Sequence, residues 1–135
     1  MGTKYDKLLG QLRQKDSGST GTDTPQTIAY SATPAHDYSI GRNAEITLTG
    51  NVTSYTLQNV AQGSGGTIEI IQNATGGFGI LAFLHTALTV VYLGGQSAIA
   101  ANINAEANGK TLLNYYRSKT SNLLYVSFAA FNAAV

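Results

Sequence analysis

The sequence has no cysteine and no tryptophan, and few charged residues. Without cysteine there can be no disulfide framework and no thiolate metal site. The chain therefore carries no mark of a secretory route. Two Asn-x-Thr sequons, at Asn51 and Asn73, would matter only in a glycosylating pathway. Charged residues make up 11% of the chain, against roughly 25% in ordinary globular proteins. The surface must then be built from Thr, Ser, Asn, Gln and Gly, which is the composition of a tightly turned β protein. The formal net charge is +1, too small to generate a field that gathers nucleic acid. No apolar run is long enough to span a bilayer as a helix, which takes about 20 residues. The nearest, "FGILAFLHTALTVVYLGG" from Phe78 to Gly95, is interrupted by His85, Thr86, Thr89 and glycines. It reads as two buried strands, around Ile80–Phe83 and Leu88–Leu93.

What is present begins with "KYDKLLGQLRQKD" at positions 4–16. Tyr5, Leu8, Leu9 and Leu12 follow the i, i+3, i+4, i+7 rule and share one helical face. Lys4, Lys7, Arg13 and Lys15 surround them, so the segment reads as a short amphipathic helix and not as a signal peptide. Gly10 weakens it by roughly 1 kcal/mol relative to Ala. Such a helix is marginal unless its apolar stripe is covered. The cover can be its own domain, sister chains or a separate partner. Residues 17–26, "SGSTGTDTPQ", read as a flexible linker.

From Thr27 the pattern changes to period two. "TIAYSA" and "HDYSIG" are short strand candidates. In "AEITLTGNVTSYTLQN", Ile46 and Leu48 point one way and Glu45, Thr47 and Thr49 the other. Gly50-Asn51 reads as the turn from which Val52–Leu57 returns. Residues 61–66 form a wide turn, and "GTIEIIQN" sets Ile68 and Ile70 against Glu69. Residues 74–77 turn again. Ala98–Ile103 is ambiguous and is read as strand, and Asn108-Gly109 as a hairpin turn. "KTLLNYYRSK" and "NLLYVSFAAF" make a closing hairpin. Turn signals every 8–12 residues give the rhythm of a sandwich or small barrel.

Catalytic chemistry finds little support. His36 and His85 share no metal-binding spacing, and His36 and Asp37 leave a strand on opposite faces. Asp23, Asp37, Glu45, Glu69 and Glu106 are scattered, with no spacing that demands a carboxylate pair. "GSGG" and "GGFG" precede strands, whereas a phosphate cradle needs a helix behind its glycines. No nucleophile has a base beside it. No catalytic residue, metal site or cofactor is therefore expected. Tyr115, Tyr116 and Tyr125 on the closing hairpin either pack in the core or, if exposed, stack on sugars or fill an interface.

The stretches "ITLTGNVTSYTL" and "GGTIEIIQNATGG" resemble a repeated element of bacteriophage fibre and virion-surface domains. The matching positions are Ile46, Leu48, Gly50, Asn51, Thr53 and Leu57, then Gly66, Thr67, Ile68, Ile70, Gln72, Gly76 and Gly77. "LLYVSF" at 123–128 is similar to the final aromatic strand of that family, and "TKYDKLLGQLRQKD" looks like a leader found on phage structural proteins. The resemblance implies a compact β-domain, commonly trimeric and displayed on the virion, with the leader as its docking peptide.

These readings combine into one expectation: an all-β protein, an antiparallel β-sandwich or small barrel preceded by a short amphipathic helix (residues 1–16) and a flexible linker (17–26). Residues 27–135 would form the β-domain, trimeric as the resemblance implies. The expected function is non-enzymatic: a head fibre, tail fibre or capsid decoration, made in the host cytoplasm and carried on the virion surface. Tyr5, Leu8, Leu9 and Leu12 would fill a groove of a capsid or tail protein, with Arg13 and Lys15 pairing with acids at its rim. Gln62, Ser64, Thr75 and Phe78, on outer loops, are the candidates for contact with a host glycan. Neither nucleic-acid binding nor membrane insertion is expected. The alternative is a carbohydrate-binding module without a virion role.

Overall fold

The structure, a computed structural model, describes residues 20–94 and 99–131. Among the described residues nine strands carry the fold: β1 (Gln26–Ile28), β2 (Ala35–Asp37), β3 (Ala44–Leu48), β4 (Val52–Gln58), β5 (Gly65–Gln72), β6 (Ile80–His85), β7 (Thr89–Tyr92), β8 (Lys110–Arg117) and β9 (Leu123–Phe131). Helix among the described residues is limited to one α turn, α1 (Thr20–Asp23), and a 3-10 turn at Ile99–Ala101.

Through the first seven strands odd and even separate, and β8 then joins the odd-numbered sheet. One sheet has the order β1-β3-β5-β8-β9-β7, and the other the order β2-β4-β6. Through the first six strands the chain alternates between the two, so that β3, β4, β5 and β6 each lie in register beside the strand two places earlier and run parallel to it. The first six strands therefore form a short two-sheet parallel coil. After it, β8 pairs antiparallel with β5 and with β9, and β9 pairs parallel with β7. The larger sheet is mixed and the smaller one entirely parallel.

The sequence explains the coil. Parallel in-register stacking places like on like. Ile28, Ile46 and Ile70 form one inward column, with Ala44 on Ile68 beside it. In the small sheet Val52 stacks on Ile80, and Tyr55 on Phe83 with ring centroids 5.7 Å apart and planes 20° from parallel. These residues meet Leu57, Leu113, Leu124 and Val126 in a single core between the sheets. Each fully buried aliphatic contributes roughly 1.5–3 kcal/mol. Gln72 is buried in the same layer as Leu48. Its amide tolerates burial because Nε2 donates to the Phe78 carbonyl at 2.6 Å and Oε1 accepts the Phe78 N–H at 3.1 Å.

The antiparallel sandwich or barrel expected from the sequence is thus corrected. Thr49-Gly50-Asn51 does not return β4 along β3. It carries the chain into the facing sheet, where Val52 N–H bonds the Gly79 carbonyl of the next coil and the Asn51 side chain accepts the Gly79 N–H. A period-two pattern is the same in either arrangement. The flexible linker is corrected for its second half. Asp23 pairs with Arg42 at 2.9 Å, and Gln26 opens β1 with its amide on the carbonyls of Asp37 and Gly41. The strand expected over Ala98–Ile103 is corrected for its described part, 99–103, which holds the 3-10 turn Ile99–Ala101 and no strand. Asn108-Gly109 leads into β8 and does not join two neighbouring strands. The amphipathic helix expected at residues 4–16 lies outside the described residues.

Candidate functional site

The expected docking residues, Tyr5, Leu8, Leu9, Leu12, Arg13 and Lys15, all fall outside the described residues. The four glycan-contact candidates fall into two groups. Gln62 and Ser64 lie in the β4–β5 turn, and Thr75 and Phe78 in the β5–β6 turn. These turns sit at opposite ends of β5, whose eight residues span about 26 Å. No single sugar unit touches both. Phe78 is half-buried against the core, with its backbone held by Gln72. Gln62 and Thr75 are exposed.

The two histidines are apart, with Leu57 between them in the stack. His36 is fully buried. Its Nε2 meets the Gly41 carbonyl at 2.7 Å, and a carbonyl only accepts, so Nε2 carries the proton. Nδ1 then accepts the Tyr55 hydroxyl at 3.0 Å. Burial holds His36 below its ordinary pKa, and burial pushes the Tyr55 and Tyr115 phenols up. The Tyr115 hydroxyl donates to the Arg42 carbonyl, and its ring meets His36 edge to face. This is a closed, neutral network that ties the first two coils to β8, and its parts are enclosed in the core. On the opposite face Asp37 accepts from the Ser39 hydroxyl and the Asn59 amide, which hold its carboxyl below the usual range. Among the described residues no three His, Asp or Glu side chains converge as metal ligands, and no helix is long and apolar enough to cross a membrane.

Glu45 and Glu69 are neighbours, a relation the sequence reading missed. They are in-register partners on the outer face of the large sheet, with Thr27 on the far side of Glu45. The signal was available, since each precedes an inward isoleucine of the same column. The Thr27 hydroxyl donates to Glu45 at 3.4 Å and Lys110 pairs with Glu69 at 3.4 Å. A shallow depression of about 350 Å³ lies alongside, bordered by Pro25, Gln26, Asn43 and Thr67. A second, of about 330 Å³, lies on the small sheet beside Asn51, Thr53, Ile80 and Leu81.

The widest surface the fold offers is the outer face of the large sheet. Alternation along β8 sends Thr111, Leu113 and Tyr115 inward and Leu112, Asn114 and Tyr116 outward. Register then builds rows across the strands. Glu45, Glu69 and Leu112 form one, Thr67, Asn114 and Ser127 the next, and Tyr116, Tyr125 and Val91 a third. Of the three hairpin tyrosines, then, Tyr115 is core, while Tyr116 and Tyr125 face outward. No protein-family model, curated protein or solved structure matches the chain.

Proposed function

We propose that the protein is a non-enzymatic bacteriophage virion-surface component, a head fibre, tail fibre or capsid decoration, attached to the particle through residues 1–16 and presenting its β-domain outward. The observation that supports this most is the polarity of the large sheet. Its order runs from β1 at one edge towards β9 and β7 at the other. The chain segment before β1 thus joins at one edge, and the outward tyrosines of β8 and β9 stand three and four strands away, about 14–19 Å. An attachment point and a display face are separated by a rigid, hydrogen-bonded sheet.

The resemblance to phage fibre domains supports the same reading. Its two matching stretches, positions 46–57 and 66–77, begin in β3 and β5, consecutive turns of the coil. An apolar stripe at Tyr5, Leu8, Leu9 and Leu12 suits insertion into a partner's groove, with Arg13 and Lys15 at the rim. A trimer would present three such segments, and linkage of that kind raises avidity by roughly 10²–10⁴ without new contacts.

The test is a full-length Leu8→Asp, Leu12→Asp variant. It should keep the melting temperature of the wild type and lose co-sedimentation with assembled particles by at least about 100-fold, as loss of the apolar anchors implies. Undiminished incorporation would contradict docking through this segment. A collapsed melting temperature would place the leucines in the protein's own core.

A further inference from the structure

We propose that the outer face of the large sheet is a binding platform for a neutral carbohydrate chain, centred on Tyr116 and Tyr125 on the closing hairpin. This rests on the outward-display reading for its biological setting, while the chemistry below stands on the geometry alone.

Tyr116 and Tyr125 are direct cross-strand partners, so their backbones lie about 4.5–5.5 Å apart and both rings leave the same face. Tyr116 is 47% exposed. Gly65 is its partner on the other side and adds no side chain to crowd the ring. Two tyrosines side by side offer flat apolar faces of the size of a sugar ring, with hydroxyls at their rims. The axial C–H groups of a pyranose pack on such faces.

Polar groups lie where the hydroxyls of a stacked sugar would point. One step along the same face, about 7 Å away, Asn114 pairs with Ser127 on one side and Thr67 on the other. The Thr67 hydroxyl donates to Asn114 Oδ1 at 2.9 Å, which fixes the amide orientation. With its oxygen engaged there, Asn114 turns its amide N–H groups away from Thr67, available as donors. Ser127 adds a hydroxyl that both donates and accepts. A fixed amide beside rigid aromatic rings reduces the ordering cost of binding.

Charge selects the ligand class. The two rows, Thr67, Asn114 and Ser127 and then Gly65, Tyr116, Tyr125 and Val91, contain no lysine, arginine, histidine, aspartate or glutamate. An anionic polymer would need cations at this centre, and an acidic or basic peptide a countercharge. A second copy of the chain is the competing occupant, but the row of hydrogen-bonding groups would then need an equally polar partner row. Neutral hexose or N-acetylhexosamine chains supply both an apolar ring face and a dense array of hydroxyls.

The test uses the purified full-length chain, titrated by heteronuclear NMR and calorimetry with four probes: cellohexaose, maltohexaose, mannohexaose and chitohexaose. At least one should bind with a Kd of about 0.01–1 mM, shifting amides of β8 and β9. Tyr116→Ala should weaken that binding at least about tenfold and Asn114→Ala about fivefold, amounts typical of losing one stacking face or one hydrogen-bond pair. Tyr116→Phe should retain most of it, and Leu81→Ala, on the other sheet, should leave it unchanged. Melting curves of each variant separate lost binding from lost fold. Three results overturn the proposal: no binding of any probe at about 10 mM, binding that survives both alanine changes, or a Tyr116→Ala variant that dissociates an oligomer in sedimentation while sugar affinity is unaffected. No particle is present in this experiment. Its failure therefore leaves virion docking standing, and a failure of docking leaves this platform standing.

Discussion

Replacing Tyr55 by alanine is expected to remove most of the protein's stability. The ring stacks on Phe83 in the next coil at 5.7 Å and meets His36 edge-on at 6.0 Å, and its hydroxyl donates to His36 Nδ1. Aromatic-to-alanine changes in cores cost about 3–5 kcal/mol. Leaving the buried His36 acceptor without its donor adds about 1–3 kcal/mol. The sum of roughly 4–8 kcal/mol compares with a total stability of about 5–15 kcal/mol for a typical domain. The melting temperature should fall by about 15–25 °C, or the cooperative transition should vanish. Tyr55→Phe separates the two contributions. It keeps the stack and loses only the donor, so it should cost about 1–3 kcal/mol. If Tyr55→Ala melts within a few degrees of the wild type, the stacked column is not what holds successive coils together.

The second large effect is expected at Gly76, with its neighbour as the internal control. Both residues adopt a left-handed backbone, with φ of 72° at Gly76 and 83° at Gly77. Any side chain there costs about 1–2 kcal/mol. At Gly77 an added methyl group would meet open space. At Gly76 it would lie 2.6 Å from the Ala107 nitrogen and 2.8 Å from the Ala105 carbonyl oxygen. That backbone cannot withdraw easily, because Gly77 N–H bonds the Ala105 carbonyl at 2.7 Å and Asn108 N–H bonds the Asn73 carbonyl at 2.9 Å. Gly76→Ala should therefore destabilise by about 3–4 kcal/mol and Gly77→Ala by only about 1–2 kcal/mol. Denaturant unfolding of the two variants measures the difference. Equal losses would show that the β5–β6 turn and the segment before β8 are not in close contact.

Most strand positions were legible in the sequence, but of the strand partners only the closing hairpin was. Ala44–Leu48 alternates buried and exposed in full, and Lys110–Arg117 nearly so, so their inward residues could be named from period two alone. The same pattern leaves pairing open. A tight turn such as Thr49-Gly50-Asn51 can lead back by backbone hydrogen bonds or over into a facing sheet by side-chain packing. The sequence did hold a sign of the coil: Thr-Ile at 27–28, Glu-Ile at 45–46 and Glu-Ile at 69–70 become one in-register ladder. Unequal spacings of 18 and 24 residues between those steps, 27 to 45 and 45 to 69, hide the repeat from a fixed-period reading.

The candidate surface was legible in part. Once β8 is placed, Leu113 inward forces Tyr115 inward and Tyr116 outward. The partnership of Tyr116 with Tyr125 depends on hairpin register, which composition does not reveal. Buried polar residues were the least legible. His36 and Gln72 occupy core positions because carbonyls and a phenol happen to reach them, and those partners are distant in sequence or set by turn geometry.

The architecture is the premise for both the display reading and the platform, and it makes a prediction open to a single cross-linking measurement. The chain has no native cysteine, so introduced pairs report cleanly. Glu45 and Glu69 are in-register partners in parallel strands, on the outer face, within the Cα separation of about 4.4–6.8 Å that a disulfide spans. A hairpin through Gly50-Asn51 would instead set Glu45 opposite Thr56. Under mild oxidation, a Glu45→Cys, Glu69→Cys variant should form its disulfide fully and without unfolding, while Glu45→Cys, Thr56→Cys should stay reduced. Oxidation of the second pair and not the first would contradict the parallel coil.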